Sequence, residues 1–252
     1  MLPDKVRDYR LLLERWHEVT KRVSSLALSV FTEAGVYPLV VVESKKPSPN
    51  AFSLYLSAGI HGDEPAPVEA LIQWAEGNAV RDVFDRMNLT IFPCLNPWGL
   101  ERNIRFDSDG RDLNRYYHSK KVPQIVSQRE VIRGRRFHAA ACLHEDYDAR
   151  GFYLYEIASK RPHWGESLCG DLTKIMNCDE RRNIDGHRCR NGVIRRRVTP
   201  CLMKGHPEAF ILHFKHADRT FTIETPSEEG LEGRIRLQKG FLDALLRESR
   251  IA

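Results

Sequence analysis

The stretch Phe52-Ser-Leu-Tyr-Leu-Ser57, Ala58-Gly59-Ile60-His61-Gly62-Asp63-Glu64 and Pro65-Ala66-Pro67 reads as three pieces in succession. Phe52 to Ser57 is a strand closed at Gly59, and a helix follows from Pro65 to about Glu76. Pro65 and Pro67 suit the first helical turn, where a missing N–H costs little. Between them, His61 and Glu64 stand three residues apart, so a tight turn can aim both at one point. Zinc accepts imidazole nitrogen and carboxylate oxygen, and its catalytic sites keep three protein ligands and an open position. The same residues have a plainer use, because Asp63 and Glu64 also suit the start of a helix.

Outward from this unit the pattern alternates. A helix is expected from about residue 4 to 30, with Val6, Leu11, Leu12, Leu13, Trp16, Val19 and Val23 at three- and four-residue steps. Strands are expected at Val36–Val42, Asn88–Cys94, Ala139–Leu143, Phe152–Tyr155, Phe210–Phe214 and Thr220–Ile223. Helices are expected at Pro123–Arg133, 164–177 and Leu231–Leu246. Residues 99–122 form a long polar loop, a feature that compact domains reserve for function, and 178–208 read as irregular and Arg-rich. Alternating strands and helices argue for an α/β layered fold with its ligand beyond the strand ends. With no repeat or linker, residues 1–252 read as one domain.

Composition narrows the class. The 252 residues carry 39 Lys+Arg against 34 Asp+Glu, a mild excess of +5 that decides no partner. Mean hydropathy is −0.45. Charges interrupt the first thirty residues, which leaves no signal-peptide or membrane-span pattern, and a cytoplasmic location is expected. The six cysteines form no Cys-x-x-Cys pair, so Cys94 and Cys142, in apolar runs, read as buried thiols.

Three further segments carry chemistry. Asn96-Pro-Trp-Gly99 is followed by Arg102, Arg105 and Asp112-Leu-Asn114-Arg115, and arginine meets a carboxylate with two parallel hydrogen bonds. Without its neighbours this would be a solvated loop. Leu143-His144-Glu145-Asp146 ends an apolar strand, where His144 is either a core histidine or a ligand. Thr222-Ile223-Glu224-Thr225-Pro226 ends another, where Glu224 is either a general base facing a cleft or a surface residue before a turn.

The joint order His-x-x-Glu, Arg, Asp-x-Asn-Arg, His, Glu resembles the zinc metallocarboxypeptidases, the carboxypeptidase A-like enzymes, in a compact bacterial branch. The resemblance spans about residues 36–246. It implies a three-layer α/β/α sandwich around a mixed, mostly parallel sheet of about eight strands. It also implies one Zn2+ per chain held by His61, Glu64 and His144, with Asp112 orienting His61 through its other ring nitrogen. Arg105 is implied to stabilise the oxyanion, and Asn114 and Arg115 to receive the substrate's free carboxylate. Glu224 is implied to take a proton from the zinc-bound water and deliver it to the leaving amine, with Glu145 the next candidate for that base. The expected partner is a peptide or N-acyl amino acid with a free carboxylate. Neither nucleic acid nor membrane is expected.

The family's digestive enzymes place a mobile Tyr some twenty residues before the catalytic Glu, yet no Tyr lies between Tyr155 and Glu224. The lid is expected to differ, with His206 or Phe210 in its place, or to be absent. Glu156 follows the third ligand in a position similar to an acidic residue of basic-specific members. A pocket-facing Glu156 would favour release of a C-terminal Lys or Arg. Two alternatives stay open. Aspartoacylase and succinylglutamate desuccinylase share a His-Gly-x-Glu turn and an Asp-x-Asn-Arg loop and cleave small N-acyl amino acids. The seven arginines within 181–197 could also attract a polyanion, although no nucleic-acid motif or stacking aromatics accompany them.

Overall fold

A computed structural model describes residues 3–77, 81–199 and 207–251. In chain order the elements are α1 (Tyr9–Arg22), β1 (Leu26–Ala34), β2 (Tyr37–Ser44), β3 (Phe52–Ser57), α2 (Pro65–Glu76), α3 (Arg81–Phe84), β4 (Met87–Phe92), α4 (Pro97–Arg102) and α5 (Pro123–Val131). They continue with β5 (Ala139–Asp146), β6 (Tyr153–Ala158), α6 (Gly165–Leu172), β7 (Asn183–Ile184), β8 (His187–Arg188), β9 (Val193–Arg195), α7 (Glu208–Ile211), β10 (Arg219–Pro226) and α8 (Leu231–Ile251).

Eight strands make one sheet in the order β1-β2-β4-β3-β5-β10-β6-β9. Its centre is parallel, from β4 through β3 and β5 to β10. Strands β1 and β2 join antiparallel at one edge, and β6 runs antiparallel to β10 at the other. This is the mixed, mostly parallel sheet expected. The central strands, buried on both faces, read as continuous apolar runs, as Ala139-Ala-Ala-Cys-Leu143 shows.

Two cores hold the layers together. On one face, Trp16 and Val19 of α1, Leu71 and Ile72 of α2, Leu168 of α6 and Phe241 and Leu245 of α8 pack on Leu54, Leu56, Leu143 and Phe221. On the other, Ile125 of α5 and Ala209 and Ile211 of α7 pack on Tyr55, Phe92 and Cys142. Cys94 and Cys142 are buried thiols, as their surroundings implied.

Two expected elements change type. The first helix stops at Arg22 rather than near 30, with Asp8 capping its start by accepting from Leu11 N at 2.9 Å. Leu26–Ala34 is instead an edge strand, paired from Leu26↔Ser44 to Ala34↔Tyr37. Phe210–Phe214, expected as a strand, belongs to α7 and the π turn Leu212–His216 that follows it. Residues 208–212 are all buried, so no two-residue alternation betrays or denies a strand, and a short apolar run is ambiguous. Among the described residues no helix is long and apolar enough to cross a membrane.

Candidate active site

The parallel strands deliver their chemistry at one end of the sheet. Register places Glu224 beside His144 on one side and Tyr153 on the other, with Thr222 between Cys142 and Tyr155 in the row below. Side chains two apart share a face. These rows therefore form the floor of a cleft of about 710 Å3, which is also lined by His61, Glu64, Arg105, Asn114, Arg115 and Phe210. That volume lies within the roughly 300–1,000 Å3 typical of small-ligand sites.

The turn after β3 approaches the floor from the side. Gly59 adopts a positive φ of 63°, which bends the chain out of the strand. Asn96 N then donates to Gly59 O at 2.8 Å. Gly62 lies so close to Gly99 that a methyl group built on it would overlap the Gly99 and Leu100 backbone. Asn96 does more than start a turn: its Oδ1 caps α4 at Gly99 N, and its Nδ2 donates to Phe106 O at 3.0 Å. The loop carrying Arg105 is thereby tied to the turn carrying His61.

His61, Glu64 and His144 are buried, with candidate ligand atoms within 4.8 Å of one another. Both imidazoles present Nδ1 to the Glu64 carboxylate, at 2.5 Å for His61 and 2.9 Å for His144. Two imidazole nitrogens and a carboxylate, converging and sheltered, match the donor set of a three-ligand catalytic metal site. The opposite nitrogen of His61, Nε2, lies 3.1 Å from Asp112 Oδ1, which fixes the ring's orientation. Asp112 also accepts from Arg105 Nε and Nη2, at 3.2 and 3.1 Å. Arg105 Nη1 stands 3.5 Å from Glu64.

The charges shift one another. Burial alone would lower the His61 imidazole, but the Glu64 charge and the hydrogen bonds that its ring donates to Asp112 and Glu64 outweigh it and raise the group to about 9. Burial pushes the Glu224 carboxyl up to about 8; the pull of His144 opposes this, and the Glu64 and Asp146 charges add to it. Glu224 keeps a partial opening to the cleft even though protein surrounds its carboxyl. Glu145, the second candidate base, is raised by burial to about 8 and is locked by Arg234 Nη1, 2.9 Å from both carboxylate oxygens. That pairing makes Glu145 a structural partner of α8.

Asn114 is buried and its Oδ1 accepts from Glu208 N at 2.9 Å, while Arg115 Nη1 donates to Asn114 O at 3.3 Å. Glu208, hidden within a stretch that reads as irregular, is a residue the sequence did not single out. Its buried carboxylate accepts from Ser57 Oγ at 2.8 Å, from Gln128 Nε2 at 2.7 Å and from the Tyr55 hydroxyl. Gln128 Oε1 in turn accepts from Tyr117 at 2.5 Å. The signal available beforehand was only an acidic residue after a proline.

Glu156 requires a correction. It lies on the opposite face of β6 from Tyr155 and Ile157 and is fully buried away from the cleft. It accepts from Trp164 N at 2.7 Å and Gly165 N at 3.1 Å, and pairs with Arg195 at 3.0 Å. Strand alternation alone reverses its expected direction. His206 lies outside the described residues. Phe210 does line the cleft, as do Tyr153 and Tyr155, whose hydroxyls donate to Asp146 and Asp185. The arginines of 181–197 do not form one surface: Arg181 pairs with Asp179, Arg195 with Glu156, Arg196 lines the cleft, and 182, 188, 190 and 197 are exposed.

Comparison with known proteins places this geometry. Residues 50–148 match the profile of the succinylglutamate desuccinylase/aspartoacylase catalytic domain. No curated protein matches the sequence. A candidate metallopeptidase from Shewanella baltica OS155 superposes with a TM-score of 0.84 at 21% identity, covering 96% of this chain and 93% of that one. A second, from Shewanella denitrificans OS217, gives 0.83 at 20%, covering 96% and 91%. A metallo-carboxypeptidase from Pseudomonas aeruginosa, in complex with (2-guanidinoethylmercapto)succinic acid, gives 0.70 at 15%, covering 94% and 68%. The chain thus has the carboxypeptidase-like fold. Its matched segment, 50–148, contains all three clustered residues as well as Arg105, Asp112, Asn114 and Arg115. Fold, segment and cluster together support a metal-dependent hydrolase.

Proposed function

We propose that this chain is a zinc-dependent hydrolase, one ion per chain at His61, Glu64 and His144, that cleaves a C-terminal peptide bond and releases the terminal amino acid. One observation carries the reading: a buried carboxyl, Glu224, lies one strand from His144 at the mouth of a His61–Glu64–His144 cluster. When bound, zinc supplies Lewis acidity, polarising the scissile carbonyl and acidifying water at the site. Glu224 takes the proton of the attacking water and returns it to the leaving nitrogen; a carboxyl raised toward neutrality suits both transfers. Arg105, held on Asp112, donates to the oxygen on which negative charge develops. Arg115 and the Asn114 amide hold the free carboxylate, which fixes which bond faces Glu224.

A second reading has its own support. The profile matched by residues 50–148 belongs to enzymes named for small N-acyl amino acids, and the same Arg115 and Arg105 would serve such a substrate. With Glu156 turned away, the basis for a Lys or Arg preference is gone. The test combines metal analysis with product release from a peptide panel and from N-acyl amino acids. Release of C-terminal residues that stops in Glu224→Gln supports the main reading. Turnover of N-acyl amino acids alone transfers the assignment to the second, and no turnover of either class by zinc-loaded protein rejects both.

A further inference from the structure

The wall of the cleft formed by β6, β9 and α7 holds a guanidinium that the reaction described above does not use. Arg196 follows β9, and its backbone N–H donates to Glu156 O at 3.2 Å, continuing the ladder. Side chains alternate there, so Arg195 turns to Glu156 beneath the sheet while Arg196 turns into the cleft. Arg196 is half-buried, and its guanidinium lies over the Phe210 ring, 5.0 Å from the centroid. Among the described residues no carboxylate lies within ion-pair distance of it, and the sequence of 200–206 contains none. Its part-buried relatives do find partners: Arg181 has Asp179, Arg195 has Glu156 and Arg105 has Asp112.

We propose that Arg196 is a specificity-determining residue that binds a second anionic group on the substrate, so that the amino acid released carries a side-chain carboxylate. This inference rests on the hydrolase reading above. Arg115, the group assigned to the free carboxylate, likewise makes no ion pair among the described residues, although its charge acts on nearby Asp112, so the cleft offers two guanidiniums outside ion pairs. The strand row that flanks Arg196, Ile157 against Thr220, is four residues from the row of Glu224, roughly 13 Å at about 3.3 Å per residue. That separation of the rows sets Arg196 toward the side chain of the released residue rather than the reacting carbonyl. The Phe210 ring attracts the guanidinium by its π face, and the N–H groups can give two parallel bonds to a carboxylate. Asp185 and Asp146 share the wall, but each is engaged by a tyrosine hydroxyl, Tyr155 at 2.7 Å and Tyr153 at 2.8 Å.

The test uses zinc-loaded protein and peptides identical except for a C-terminal Glu, Gln or Lys. Wild type is expected to favour Glu over Gln by about 10–100-fold in kcat/KM, the usual worth of a charge-assisted hydrogen bond. In Arg196→Gln that ratio should fall to near one, mainly through KM, and Arg196→Glu should favour Lys. Calorimetry of L-glutamate and L-glutamine binding to wild type and Arg196→Gln gives a readout that needs no turnover. Equal handling of Glu and Gln by wild type, a Glu preference that survives Arg196→Gln, or a wild-type preference for Lys would each overturn the assignment, the last transferring the role to Asp185. Absence of turnover on all three peptides counts against the hydrolase reading instead, and calorimetry then decides Arg196 alone.

Discussion

Replacing Glu208 by alanine removes one carboxylate and strands three donors that the fold has buried: the Tyr55 hydroxyl, the Ser57 hydroxyl and the Gln128 amide. A buried donor left without an acceptor costs about 1–3 kcal/mol. Gln128 keeps one partner, because its Nε2 also donates to the Tyr55 oxygen at 2.6 Å, so not all three losses are complete. The expected total is about 3–6 kcal/mol, a large share of the roughly 5–15 kcal/mol that holds a typical domain folded. Urea titration should show it as a lower midpoint at unchanged slope. Thermal unfolding should move down by roughly 6–24 °C at about 2–4 °C per kcal/mol. Glu208→Gln, which keeps one acceptor in place, should fall between alanine and wild type. A loss below about 1 kcal/mol in the alanine variant would refute the reasoning, since the three donors would then have found water or one another at no cost.

Other consequences are as direct. His144→Ala should leave purified protein without its metal by elemental analysis, and full occupancy in that variant would remove the ligand assignment. Glu224→Gln should keep the metal and still bind a peptide, while turnover drops by about 10²–10⁴-fold; near-normal turnover would exclude it as the base. Asp112→Asn should weaken metal binding by about 10–100-fold in a chelator competition, and unchanged affinity would remove its orienting role. Asp179 is held below the usual carboxylate range: burial opposes this, and the Arg181 guanidinium and the N–H groups of Arg150 and Arg181 overcome it. A depressed carboxyl contributes stability that is present above its unfolded value of about 3.9 and lost as the pH falls through the folded one. The stability gap between wild type and Asp179→Asn should therefore be widest near neutral pH and close below pH 4. A gap that does not change with pH would assign the effect to packing alone.

The sequence exposed the His61–Glu64–His144 cluster because its three residues sit in short-range patterns, a turn before a helix and the end of an apolar strand. Their convergence followed once β3, β5 and β10 were laid parallel, since register alone puts Glu224 beside His144. Most of the sheet was legible for the same reason, from continuous apolar runs with clear punctuation. Glu156 was misread because its direction depends on which strand residues face the cleft, and a shift of one position reverses it. Glu208 was not legible as a site residue, and Arg196 was legible only as one of the seven arginines within 181–197. The partners of Glu208 come from positions 55, 57 and 128, and the ring beneath Arg196 comes from position 210. No local spacing encodes such distant meetings. The strand β1 was absorbed into the helix before it because Leu26–Ala34 declares itself only by pairing with β2.

The contact between Gly62 and Gly99 has a consequence for how this protein can change. The turn with His61 and the segment leading to Arg105 meet backbone to backbone, so Gly62 cannot gain a side chain without prising the two loops apart, while one on Gly99 would press into the Asn96 amide and the Ile104 and Phe106 carbonyls of its own segment. A change at Gly62 would move the turn that carries His61 and Glu64 away from the segment that carries Arg105 in a single step, which closes most routes of gradual drift there. Among the described residues, 153–158, 193–199 and 207–210, on the far side of the cleft, carry no such weld to that turn. Variation can accumulate on that wall while the reacting groups stay fixed, so new selectivity is reachable from this scaffold by small steps and new chemistry is not.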